Sequence, residues 1–250
     1  MKRMLAFLLV LVMCISLVGC GKTMCSIDGC ESEAIEDATF EEALCSKHLA
    51  SKKTFEASKA AYDNIDIAYE ITERFGSDIY EAWRVGIYDD DEILDYGVAH
   101  LATELSLSAE EIRTGVAYTI VKLLDENWDE MSDDDKKKYI NRADDFFELM
   151  EDDLFSFCVM CVSGAYAANG KVEEAQTALD AAKAQMKELS QEYSDYEHYP
   201  NLKGYYTTTS SFFDFCNNPT GSFEQVKDTV NDYKNDARDY ISDLDYIFED

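Results

Sequence analysis

Pro200 and Pro219 are the only prolines in a chain of 250 residues, and glycine is sparse over residues 51–162. Proline breaks the helical hydrogen-bond ladder, and glycine inside a helix costs about 1 kcal/mol relative to alanine. A chain that avoids both for so long reads as helices packed on helices. The apolar positions agree: Ala57, Ala61, Ile65, Ala68, Ile71 and Phe75 recur at spacings of three and four, which lines one face of a helix. Gly76, Ser77 and Asp78 form a point where this helix ends or softens, before a second segment at 79–87 that carries Trp83. Acids at 89–92 favour a new helix start leading through 93–105.

Further helix starts are written in capping residues. Ser108 and Glu111 make a capping box, which predicts a helix from there to Trp128. Ser132 with the acids at 133–135 opens another, and the lysines at 136–138 supply opposite charges one turn on. Residues 154–168 are the most apolar internal stretch; they fall short of the roughly 18 residues that span a membrane and read as a buried helix. Ser222 and Gln225 form a second capping box. The helix after it carries Val226, Val230, Tyr233, Ala237, Tyr240, Leu244 and Ile247 in steps of four and three, a seam that packs lengthwise on another helix. The expected fold is all-α, a bundle of about six to eight helices over residues 51–250. A small irregular module over residues 20–50 precedes it.

Charge narrows the function. With 52 acidic against 22 basic residues the formal net charge is −30, so the surface repels nucleic acid and anionic lipid alike. Such acidity often means disorder, yet 46% of residues are hydrophobic, 12% are aromatic, and acids alternate with apolar positions. A folded domain follows. No Gly-x-Ser-x-Gly elbow, His-Glu-x-x-His pair or phosphate-cradling glycine loop occurs, and 89–92 lacks the spacing of a calcium loop. Isolated His100 and His198 read as satisfied imidazoles, and Cys158, Cys161 and Cys216, set in apolar runs, as core residues. The expectation is a non-enzymatic protein.

One cluster has ligand spacing: Cys25-x4-Cys30-x14-Cys45-x2-His48. It resembles small zinc-binding modules of the C-x4-C…C-x2-H type, in which two knuckle-like pairs close a tetrahedron around a structural ion. That resemblance implies zinc held by Cys25, Cys30, Cys45 and His48. Three thiolates and an imidazole suit zinc, and a segment this short gains most of its folding energy from the metal. The competing reading is a disulfide among the three cysteines with one thiol left over.

At the N-terminus, Lys2 and Arg3 precede an apolar run at 5–18, and Gly19 stands directly before Cys20. This resembles the lipobox of bacterial lipoproteins. It implies a signal peptide at 1–19, acylation of Cys20 (palmitate or a similar chain), and anchorage to the outer face of a membrane. Ser163, Tyr166, Gly170, Ala175, Leu179 and Ala182 resemble one tetratricopeptide helical hairpin, although the chain carries no second copy and an ordinary tight hairpin is the simpler explanation. Tyr193, Tyr196, Tyr199, Tyr205 and Tyr206 crowd a stretch with His198, Pro200 and Asn201. They read either as a loop that grips a peptide or sugar, or as the cap of a helical bundle. Together the expectation is a lipid-anchored, extracytoplasmic interaction module of the bacterial envelope with a protein or glycan partner. The alternative is a protein that binds, senses or retains zinc outside the cell.

Overall fold

The computed structural model describes residues 22–193 and 195–248. Cys20, the apolar run before it and the expected signal peptide lie outside the described residues. The chain forms two compact units, Met1–Glu56 and Ala57–Asp250, whose boundary falls within the first helix and a few residues beyond the expected limit at 50.

Ten α-helices occur among the described residues: α1 Ser46–Tyr88, α2 Asp90–Tyr96, α3 Val98–Glu104, α4 Ala109–Leu123, α5 Asp133–Ile140, α6 Ala143–Leu149, α7 Leu154–Ala168, α8 Lys171–Glu192, α9 Tyr199–Asn217 and α10 Phe223–Phe248. The fold is all-α, as expected. Six helices of 15 residues or more carry the bundle, and the other four are one to two turns long. The capping boxes at Ser108 and Ser222 form, as does the Ser132 cap.

In the second unit α1 supplies the central stripe. Ala61, Ile65, Ala68, Phe75, Ile79, Ala82 and Val85 are all shut off from water. Phe75 stacks on Tyr166 of α7, Tyr69 meets Tyr205 of α9 edge-on, and Tyr62 stacks on Phe248 of α10. The predicted seam of α10 runs antiparallel along α9, with Tyr233 against Phe212 and Tyr240 against Gly204. The hairpin between α7 and α8 turns at Gly170, whose φ of 72° suits a residue without a Cβ.

Two expected helix limits move, and the open choice at 76–78 is settled as one continuous helix. Helix α1 does not break at 76–78: a Cβ on Gly76 would lie 2.4 Å from the Phe212 ring, so that glycine makes room for a neighbour inside a continuous helix. The helix expected over 93–105 divides into α2 and α3 at Gly97, which has a φ of 46°. Asp144 holds this junction, accepting the Val98 N–H at 3.1 Å and Arg113 at 2.6 Å. Helix α4 ends at Leu123, short of Trp128, because Asp125 turns to a φ of 60° and Asn127 caps a 3₁₀ turn that tucks Trp128 against Ala117 and Val121. The polar run at 125–127 offers no apolar face to extend the helix.

Helices α4 and α7 cross with their backbones in close approach. A Cβ on Gly115 would stand 2.3 Å from the Cys161 carbonyl oxygen, and one on Gly164 would stand 2.6 Å from the Gly115 oxygen. Thr119 ties the pair further by donating to the Met160 carbonyl at 3.0 Å. Backbone cannot yield as a side-chain tip can, so Gly115→Ala and Gly164→Ala should each cost about 1–3 kcal/mol. Denaturant melts should show this loss with an unchanged slope.

Asp78 is the buried polar node of this unit. Its carboxylate, 2% exposed, accepts the Ser106 N–H (2.8 Å), the Ser106 hydroxyl (2.7 Å) and the Tyr166 hydroxyl (2.8 Å). Burial pushes its pKa above the ordinary 3.8, outweighing the three donors that pull the other way. The folded state therefore holds this proton more tightly than the unfolded chain does. Its contribution is fully present below the ordinary carboxylate pKa and is lost as pH rises through the raised folded value. Wild type should thus lose stability relative to Asp78→Asn as pH climbs from about 4, with the difference levelling once Asp78 is ionised; melts across a pH series read the slope.

Candidate metal centre

The first unit is built from little. Two isolated antiparallel bridges, Met24 with Glu33 and Ile35 with Leu44, fold residues 22–45 into loops. Its buried cluster is Cys25, Leu44, Cys45 and Leu49, with Cys30 and Phe40 packed beside them. An exposed ion pair of Lys22 with Glu33 (2.6 Å) and a half-buried one of Lys53 with Asp37 (2.6 Å) edge the unit. Hydrogen bonds from Lys53 and the Thr39 amide hold the Asp37 carboxyl down to about 2. An exposed pair such as Lys22 with Glu33 adds little to stability.

Each candidate ligand is placed by a local device. The Cys25 N–H donates to the Ser32 carbonyl at 3.0 Å, while the Cys30 N–H closes a turn onto Ile27 at 3.0 Å, eased by Gly29 with its φ of 77°. Cys45 directly precedes α1, and His48 sits in the helix's first turn, so their spacing of three turns both toward one point. The partially positive helix N-terminus thus lies beside a ligand that binds metal as an anion.

The four groups converge. Cys25 Sγ lies 3.2 Å from His48 Nδ1, Cys45 Sγ lies 3.5 Å from the same nitrogen, and the Cys30 and Cys45 sulfurs are 3.8 Å apart. All four ligand atoms fall within 4.8 Å of one another, close enough to hold a metal ion. A tetrahedral ion with bonds of about 2.3 Å to sulfur and about 2.0 Å to nitrogen sets edges of about 3.8 Å between sulfurs and about 3.5 Å from sulfur to nitrogen. The donor set therefore fits such an ion. Cys25, Cys30 and Cys45 are free thiols, as are Cys158, Cys161 and Cys216.

The other residues singled out in the sequence fall elsewhere. Tyr199, Tyr205 and Tyr206 are part of α9, Tyr193 ends α8, and Tyr196 lies in the turn between. This corrects the loop reading: Pro200 stands in the first helical turn, where proline starts a helix rather than interrupting one. Tyr205 is wholly buried and donates to Asp66 at 3.0 Å, while Tyr193, Tyr196, Tyr199 and Tyr206 lie half-buried against the core. These rings pack the bundle. His100 stands 3.5 Å from Asp89, whose carboxylate Arg84 also engages, and His198 stands 3.2 Å from Glu197.

Cys158, Cys161 and Cys216 are buried core residues, and desolvation pushes all three thiols up, Cys158 to about 12. Iodoacetamide at pH 8 should leave these three untouched in the native protein and label them once denaturant is added; native labelling of any of them would contradict their burial. No protein-family model matches the chain, and no curated protein or solved structure matches it.

Proposed function

We propose that the protein is a non-enzymatic interaction module of the bacterial envelope, anchored by lipid at Cys20 outside the cytoplasm, whose first unit is held folded by one structural zinc ion. The convergence of three thiols and one imidazole at tetrahedral spacing carries this reading. Cys25, Cys30, Cys45 and His48 would fill all four positions and leave none open for a substrate, the pattern of a structural site. The chemistry zinc supplies there is cross-linking of the chain. Two of the four residues in the buried apolar cluster of the first unit, among the described residues, are themselves candidate ligands, so little apolar core would remain without the ion. The anchor rests on the sequence around Cys20, and a protein or glycan of the envelope is the partner class.

Metal content and free thiols, measured on protein purified without reductant, test the zinc site. The expected result is one zinc per chain, with Cys25, Cys30 and Cys45 shielded from alkylation. Cys45→Ser should abolish stoichiometric zinc and unfold the first unit while the cooperative melt of the second stays put. Metal-free protein with a disulfide mapped among the three cysteines would overturn the site. Cys30 and His48 are only half-buried, which favours a second reading, zinc sensing or retention. Zinc lost to a chelator within seconds would support retention, and zinc that stays until the protein unfolds would support the structural role.

A further inference from the structure

A groove of about 630 Å³ opens in the second unit between α4 and α7, in the size range of small-molecule sites. Trp83, Leu123, Phe155, Val159 and Met160 line it, together with Lys122. We propose that this groove binds an anionic amphiphile, its acyl chain laid along α7 and its carboxylate paired with Lys122.

Three observations carry the assignment. Most of the lining side chains are apolar or small, and three of its polar ones are engaged inside the protein. Thr119 donates to the Met160 carbonyl, Ser163 to Val159 at 3.1 Å, and Asn217 to Phe213 at 2.9 Å. A sugar would find few free partners there, whereas an alkyl chain displaces water from such a surface at a gain.

The shape suits a chain. Lining residues run along α7 from Phe155 to Ala167, about 18 Å at 1.5 Å per residue. Phe155, Val159 and Met160 are half-buried, one side packed on the core and the other left for the groove. Leu123 at the rim is 53% exposed, an apolar surface a bound tail would cover.

The charge is the selective part. Lys122 is the single charged residue of the lining, in a chain of net charge −30, and no carboxylate lies within ion-pair distance of it among the described residues. Its ammonium rests 5.0 Å from the centre of the Tyr118 ring, which is itself packed edge-on against Trp128, a contact that favours its placement at the groove. The acidity of the whole chain opposes anions only at long range and is screened beyond about 8 Å at physiological salt, while the Lys122 contact is direct.

Titration calorimetry of the whole chain, free of detergent, with dodecanoate and with dodecan-1-ol, both below their aggregation limits, tests the proposal. One dodecanoate should bind per chain, about tenfold or more tighter than the alcohol. Lys122→Met, a change at an exposed side chain, should abolish that preference and leave alcohol binding as it was. Ala167→Phe, which fills the groove, should weaken both ligands. No saturable dodecanoate binding, equal affinity for acid and alcohol, or a preference that survives Lys122→Met would each overturn it. The result does not depend on metal in the first unit.

Discussion

The second unit depends on sealing one face of α1. Each large apolar side chain on that stripe is worth about 1.5–3 kcal/mol when taken out of water, so the helices around it are arranged by where they can cover it. Much of the cover is tyrosine, a ring with a polar tip that also needs a partner once buried. The same answer recurs: Tyr62 donates to Asp245, Tyr166 to Asp78 and Tyr205 to Asp66. An acidic chain thus turns part of its surplus of carboxylates inward. At Asp78 the cost of burying charge shows as a raised pKa, and the carboxylate in return fixes the α3–α4 connection through Ser106.

The two units solve stability differently. The second has a continuous core with closely approaching helices, where Gly115 and Gly164 let two backbones meet without intervening side chains. Among its described residues the first has an apolar cluster of four buried side chains, two bridges and ion pairs at its edge. Short-range geometry nonetheless brings its three thiols and imidazole to one point. Small folds of this kind commonly depend on a metal or disulfides, because their surface is too large for their core.

Local signals were the legible ones. The Ser108, Ser132 and Ser222 caps start helices where their spacing requires, and 154–168 is a buried helix with the limits its apolar run suggested. The Cys/His cluster was legible too, since a C-x4-C turn and a C-x2-H helix start are each set by a few adjacent residues. The tyrosines admitted two readings, a gripping loop or a bundle cap, because proximity in sequence says nothing about which face of a helix a ring occupies. Helix limits at Gly97 and Leu123 were hidden because positive φ at Gly97 and Asp125 is chosen by what packs beside them, Asp144 in one case and Trp128 in the other.

By itself the sequence determined the helical class, the capped starts, the amphipathic faces and the set of Cys and His side chains that could hold a metal ion. These follow from hydrogen-bond and apolar periodicities acting within a few residues. Only the tertiary structure decided that Gly76 is a packing position, that Asp78 meets Ser106 and Tyr166, and that Lys122 stands over an apolar groove with Trp83 in its lining. Those residues lie on different helices, and what joins them is the burial of surface across the whole bundle, a constraint no short stretch of chain can express.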